Sequence, residues 1–256
     1  MGLVKGKKAL ILGVANERSL AYAIAQRLAG EGASMLLTYQ GEAVESRVRS
    51  LAAELQAAAV EPCDVTRDGD IDAVVDATAS RLGGVDIVVH AVAFADKEAL
   101  VGRYCDVSRA SFLKALDIGA YSFTALARSA ARLMEASGGS MLTLTYFGAE
   151  KVVPHYNVMG ITKAALEASV RYLAADLGPN AIRVNAISAG PIKTLSAKGV
   201  RDFNSMLTLA GERSPLRRNI TGRDVADAAL FLLSDLGAGV TGEVLHVDAG
   251  YNIMGM

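Results

Sequence analysis

Tyr156 and Lys163 stand seven residues apart in the run Tyr156-Asn157-Val158-Met159-Gly160-Ile161-Thr162-Lys163. Read as the start of a helix, this spacing places the two side chains two turns apart on one face. A nearby ammonium favours a tyrosinate, so the pair could handle a proton or a developing negative charge. The same ammonium can hold a ribose hydroxyl. Tyr146 stands ten residues before Tyr156, at the end of an apolar run that reads as a strand. Three groups can then converge at one edge of a sheet. Without further context, the same residues also fit the polar face of an amphipathic surface helix.

A second set of residues could hold a nucleotide. The first apolar run is followed by Gly13-Val14-Ala15-Asn16-Glu17-Arg18-Ser19-Leu20. This is not the usual Gly-x-Gly-x-x-Gly. Gly13 still allows a sharp turn close to a ligand. Ser19 is a good N-cap, and the amides around Leu20 would face a phosphate with the helix dipole behind them. A plain strand-to-helix turn fits equally well. Asp64 and Val65 follow the third run: a carboxylate could accept from an adenine amino group while the Val65 amide donates to a ring nitrogen. The competing reading is a helix cap. Gln40 ends the second run, where an acid would bind ribose hydroxyls and an Arg would bind a 2′-phosphate. A neutral amide leans towards NADH, although Arg47 is close in sequence.

The elements that must position these groups alternate. Short Val/Ile/Leu runs at 9–12, 34–39, 58–61, 86–90, 140–145, 183–187 and 244–247 read as buried parallel strands. Helical patterns lie between them at 20–30, 42–56, 69–82, 108–136, 156–176 and 224–233. Strand–helix alternation predicts an α/β, Rossmann-type doubly wound parallel sheet of about seven strands. No linker divides the 256 residues, so one domain over 1–256 is expected. Between 194 and 211 the pattern breaks. Leu195, Val200, Phe203, Met206, Leu207 and Leu209 are spaced roughly helically where a loop should follow a strand's carboxyl end. Ligands bind at that edge, so the segment is expected to be a helical substrate-binding lid.

Composition narrows the class. Twenty-six basic and 27 acidic residues leave a net charge of -1, without the basic excess of a nucleic-acid or anionic-membrane binder. No apolar run approaches the ~20 residues of a membrane span, and the apolar piece 9–12 is too short for a signal peptide. Cys63 and Cys105 read as reduced cytosolic thiols. Three scattered histidines make no metal set. His155 reads as a rim residue, and His90 and His246 as packed or hydrogen-bonded. Arg217 and Arg218 read as a solvated pair. Methionines mostly fill cores, but Met159 and Met206 flank the Tyr156–Lys163 segment and the lid and could line an apolar pocket.

Over nearly its whole length the sequence resembles the short-chain dehydrogenase/reductase superfamily. The run Arg183-Val184-Asn185-Ala186-Ile187-Ser188-Ala189-Gly190-Pro191-Ile192 is similar to its cofactor-side segment. Classical members carry Tyr-x-x-x-Lys, and here Gly160 stands at the lysine position. The longer Tyr-x6-Lys spacing, Tyr146 and the Gly13-x5-Ser19 turn resemble the divergent enoyl-acyl-carrier-protein reductases. So do Tyr156-Asn157-Val158-Met159-Gly160, Ser188 to Leu195 and Gly242 to Tyr251.

That resemblance implies NADH as cofactor. It implies contacts from Gly13, Ser19, Leu20, Gln40, Asp64, Val65, Val92, Lys163, Ile192, Lys193, Thr194, Leu195 and Ser196. It places Ala95 and Tyr156 at substrate-contacting positions; with an acyl substrate implied, the placement of Met159 beside Tyr156 and of Phe203 and Met206 in the lid makes these three the expected acyl contacts. Ala91 stands where the family commonly has a serine, which bears on affinity more than activity. The implied reaction is hydride transfer to the β-carbon of a trans-2-enoyl thioester on acyl carrier protein. Tyr156 would stabilise the enolate, and Tyr146 would orient substrate or assist proton flow. A cytoplasmic homotetramer with no nucleic-acid or membrane partner is implied as well. A carbonyl or hydroxyacyl reductase would need Tyr-x-x-x-Lys and an upstream serine, which this chain lacks at the expected spacing. A dinucleotide sensor on the same fold would have no need of the Tyr156–Lys163 pair.

Overall fold

The computed structural model describes residues 2–194 and 203–255. Seven short apolar runs form β1 (Lys8–Leu12), β2 (Ser34–Tyr39), β3 (Ala59–Pro62), β4 (Ile87–His90), β5 (Gly139–Thr145), β6 (Ile182–Ala189) and β7 (Val244–Val247). They make one sheet in the order β3-β2-β1-β4-β5-β6-β7, and every adjoining pair is parallel. Successive strands are added in one direction from β1 to β3 and in the other from β4 to β7, and this switch of winding opens a crevice at the carboxyl ends of β1 and β4.

Alternation along each strand explains the two cores. Ala9 and Ile11 face one apolar cluster, and Leu10 and Leu12 face the other. The first cluster is closed by α1 (Leu20–Gly30), α2 (Glu42–Glu54) and α8 (Gly222–Leu233). The second is closed by α3 (Asp68–Leu82), α5 (Ser122–Met134) and α6 (Val158–Leu177). Both faces are covered, so apolar residues occur at successive positions in the central strands and do not strictly alternate with polar ones. Each fully buried Leu or Ile contributes about 1.5–3 kcal/mol relative to exposure.

Three expectations need correction. The long pattern at 108–136 is not one helix. It forms α4 (Arg109–Leu116), a π-turn at Asp117–Tyr121 and then α5. The turn brings Gly119 against α6, where a Cβ would lie 2.5 Å from Thr162 Cγ2. Apolar periodicity runs through the bulge, so the pattern does not reveal it. Second, α6 begins at Val158, and Tyr156 precedes it because Asn157 has φ 38°. The tyrosine and the lysine therefore do not share two turns of one helical face. Third, Arg218 is not simply solvated: it pairs with both carboxylate oxygens of Asp224, the residue that closes the capping box of α8 with Thr221.

Of the expected lid, residues 195–202 lie outside the described residues. The remainder forms α7 (Phe203–Arg213), which buries Leu207 and Ala210. Among the described residues, no helix is long and apolar enough to cross a membrane.

Candidate active site

The crevice between β1 and β4 depends on one glycine. Gly13 has φ +98°, and a Cβ on it would lie 2.2 Å from the Ala91 carbonyl oxygen. Only glycine lets the two strand ends approach this closely. Ser19 then caps α1: its Oγ accepts from the Tyr22 amide at 3.3 Å and donates to the Asn16 carbonyl at 2.7 Å. The helix thus starts at the crevice with first-turn amides available to an anion.

Further along the same edge, Gln40 is exposed at the end of β2. Asp64 Oδ1 accepts from the Thr66 amide at 3.0 Å and from its hydroxyl at 2.7 Å. Burial pushes the Asp64 carboxyl up, but the Thr66 bonds, the Arg67 charge and the Gln40 amide outweigh it and hold the group below the usual carboxylate range. Arg67, not Asp64, occupies the N-cap of α3. Asp64 therefore closes a turn and still lies beside Gln40. Val65 is buried, and Val92, Ile192 and Thr194 are partly buried, while Lys193 is exposed. Leu195 and Ser196 lie outside the described residues.

The carboxyl end of β5 carries the second half of the site. The rings of Tyr146 and Tyr156 meet edge to face, with centroids 5.0 Å apart and an interplanar angle of 70°. Two glycines make room for them. A Cβ on Gly148 would lie 2.4 Å from Tyr156 Cδ1, and one on Gly160 would lie 2.7 Å from the Gly148 carbonyl oxygen. Lys163 is buried, and its Nζ donates to the Leu144 carbonyl at 2.8 Å. Burial pushes the lysine down to about 8, opposed by the charge of Glu167.

A nearby ammonium would lower the pKa of Tyr156, but both tyrosines are shifted upward. Burial, then the neighbouring Tyr146 and Glu167, push Tyr156 well above the ordinary phenol value. Burial and Tyr251 push Tyr146 up to about 12. Desolvation outweighs any help from the ammonium, so Tyr156 stays protonated and is a hydrogen-bond donor.

A cavity of about 310 Å³ opens beside Tyr146, with Phe147, Pro191, Met206, Leu209 and Tyr251 in its wall. Tyr146 and Met206 are brought together there. Tyr156, Met159, Phe203 and Ala95 are not part of that wall. Met159 is buried on α6. Ala95 packs with Ala99, Ala115 and Val158, at the start of α6. Leu207 is buried on α7. His155 lines the cavity rim.

The other tempting residues have ordinary explanations. His90 is fully buried, with Nδ1 2.9 Å from Thr143 Oγ1 and Nε2 2.8 Å from Ser122 Oγ. His246 Nε2 lies 2.6 Å from Glu150 Oε1. Burial pushes the Cys63 thiol up to about 12, which leaves it unreactive. Among the described residues, no cluster of three His, Cys, Asp or Glu could hold a metal ion.

Sequence reasoning missed Gly148, Thr145 and Glu167, and noted Gly160 only as a departure. Gly160 carried a signal, since it stands where classical members have lysine. Glu167 carried a weaker one, one helical turn beyond Lys163.

A doubly wound parallel sheet with a capped helix at its crevice, and a Tyr/Tyr/Lys group at the end of β5 and the start of α6, defines a short-chain dehydrogenase/reductase-type oxidoreductase. Residues 13–252 match the enoyl-(acyl carrier protein) reductase family, and the chain belongs to that family. It is 57% identical to enoyl-[acyl-carrier-protein] reductase [NADH] 1 of Rhizobium meliloti, over 100% of this chain and 93% of that protein. It is also similar to the crystal structure of the Anaplasma phagocytophilum enoyl-(acyl-carrier-protein) reductase in complex with NAD. That match has a TM-score of 0.96 and 55% identity, and covers 100% of this chain and 97% of the other. The Bacillus cereus reductase crystallised with NADP+ and indole naphthyridinone gives a TM-score of 0.97 at 53% identity, with both chains fully covered.

Proposed function

We propose that this chain reduces trans-2-enoyl-acyl-carrier-protein to acyl-acyl-carrier-protein with NADH, in the elongation cycle of bacterial type II fatty acid synthesis. The observation that carries the reading is the edge-to-face pair of Tyr156 and Tyr146 at the same end of the fold as the buried Lys163. NADH, when bound, supplies a hydride to the β-carbon of the enoyl thioester.

The residues at the crevice fit that cofactor. Gly13 permits close approach, the amides at the start of α1 suit a pyrophosphate, and Gln40 and Asp64 suit the adenosine half. Lys163 holds the nicotinamide ribose and adds positive potential. Ile192, Lys193 and Thr194 follow β6 at the same edge.

Negative charge grows on the thioester oxygen as the β-carbon takes the hydride, and the resulting enolate takes a proton from solvent at its α-carbon to give the saturated thioester. The Tyr156 hydroxyl donates to that oxygen, and such a donor acts most strongly where charge develops. Tyr146 orients the tyrosine and the thioester through its edge-to-face contact. Met206 and the cavity wall take the apolar acyl chain, with Ala95, Met159 and Phe203 at its margins. We assign the enzyme to the cytoplasm as a single-domain homotetramer, without a nucleic-acid or membrane partner.

The test is NADH oxidation with crotonyl-type thioesters and, separately, NADH-dependent reduction of β-ketoacyl thioesters. Turnover of the first and not the second is expected. The reverse preference overturns the proposal. Light scattering at the monomer mass would overturn the tetramer.

A further inference from the structure

Glu167 is 8% exposed on α6, and nothing in the reaction above uses it. A buried carboxylate is costly unless bonds or charges compensate it. Its bonding places it beside the reaction. Lys163 and Glu167 are one helical turn apart, and each clips a successive residue of β5. Lys163 Nζ donates to the Leu144 carbonyl at 2.8 Å, and Thr145 Oγ1 donates to Glu167 Oε1 at 2.7 Å. Thr145 is itself only 4% exposed, and the next residue is Tyr146. The mount of the first tyrosine is thus fixed by the same stretch of helix that carries the lysine.

We propose that Glu167 is a positioning residue for this reduction, which holds Tyr146 in place through Thr145 and keeps Lys163 charged at the cofactor ribose. This rests on the function proposed above. Charge supports the second role. Burial alone drives Lys163 towards losing its proton, and Glu167 is the neighbour that opposes it. His90 on β4 also faces the lysine and is disfavoured as a cation by it. Burial, with Glu150 from the turn after β5, pushes the Glu167 carboxyl up, and the Thr145 bond, His246 from β7 and Arg171 from its own helix work against that shift; Tyr156 faces it as well.

Two variants separate tether from charge. Glu167→Gln keeps the shape and an acceptor for Thr145 but removes the charge. Thr145→Val removes the bond and keeps the charge. NADH binding to the full chain is titrated by fluorescence from neutral to alkaline pH, with no substrate present. In Glu167→Gln the alkaline loss of affinity should begin about one pH unit lower, the size of effect an opposite charge has at this range. Glu167→Asp should restore the wild-type limb. Thr145→Val should leave the limb in place and lower kcat roughly tenfold by displacing Tyr146.

A wild-type limb in Glu167→Gln, or wild-type kcat in Thr145→Val, overturns the proposal. Thermal melts identify a variant that does not fold; if Glu167→Gln fails, Thr145→Val carries the test. Because the limb is read without substrate, a failure of the enoyl thioester assay leaves it standing and falls on the substrate assignment alone.

Discussion

Gly160 lies so close to Gly148 that a Cβ on it would come within 2.7 Å of the Gly148 carbonyl oxygen. Classical members of the superfamily carry lysine at this position, and here no side chain fits. Tyr156 occupies the space beside Gly148, so the two glycines and the tyrosine are one packing unit. Gly160→Ala should lower the unfolding free energy by about 1–3 kcal/mol, as overpacking does, and reduce kcat by moving the tyrosine. Gly160→Lys, which restores Tyr-x-x-x-Lys, should be worse and not a gain of function. Urea melts and turnover check both variants; a Gly160→Lys enzyme with normal kcat would refute the packing argument.

Tyr156→Phe should lower kcat by about 10²–10³, the usual cost of losing one donor to a developing oxyanion. NADH affinity should stay nearly unchanged, because the hydroxyl acts on the thioester oxygen. Single-turnover rates and fluorescence titration separate the two effects. Near-normal turnover of a carrier-bound substrate would remove the role given to Tyr156.

Lys163→Ala should weaken NADH binding as well as turnover, since its ammonium is assigned to the ribose. The wild-type enzyme carries a related pH signature. Lys163 is charged below about 8 and neutral above it, so affinity for NADH should fall as pH rises through that value. Lys163→Ala should have no such limb. Equal NADH affinity in variant and wild type would contradict the assignment.

The sheet was legible because most strands centre on a short apolar run between turn residues. The predicted segments at 34–39 and 244–247 coincide with β2 and β7. The cap at Ser19 was legible for a local reason too: its hydroxyl serves its own first turn. What escaped depends on distant backbone contacts. The π-turn at Asp117–Tyr121 is set by α6 pressing on Gly119, and apolar periodicity does not record it. The start of α6 slipped from Tyr156 to Val158 because Asn157 adopts φ 38°, a conformation that its residue type permits but does not announce. The role of Tyr156 as a donor was legible from its spacing to Lys163, but the direction of its shift was not, because burial and not a neighbouring ammonium decides it.

His90 predicts the acid side of the stability curve. Burial, then the Lys163 charge, lowers its pKa from 6.5 to about 3. A depressed folded-state value means that the unfolded chain takes up the proton first. Its stabilising contribution is therefore intact above about pH 6.5 and is lost as pH falls towards 3. In that window His90 should add a slope of about 1.4 kcal/mol per pH unit. A neutral ring accepts at one nitrogen, so either Ser122 or Thr143 must turn its hydroxyl proton from a backbone carbonyl to the imidazole. His90→Gln should be less stable at neutral pH but show a flatter acid limb. Urea midpoints across this range test it, and an unchanged slope would mean that another group governs acid unfolding.

Cofactor choice should favour NADH over NADPH. The residue at the end of β2 is Gln40, which can bond a ribose hydroxyl but cannot neutralise a 2′-phosphate. The Arg49 guanidinium beside this strand end is already engaged. Arg49 Nε donates to Glu45 at 2.8 Å, and its guanidinium carbon sits 5.7 Å from the Tyr39 ring centroid. Arg47 is exposed on the same helix, so some NADPH activity is expected. The ratio of kcat/KM for the two cofactors should still lie on the NADH side. Gln40→Arg should move it towards NADPH, by roughly tenfold or more if the new guanidinium pairs with the phosphate. Glu45→Gln should move it the same way by less, because it frees Arg49 without adding a charge. A wild-type preference for NADPH, or a Gln40→Arg enzyme with an unchanged ratio, would show that the end of β2 does not read the ribose.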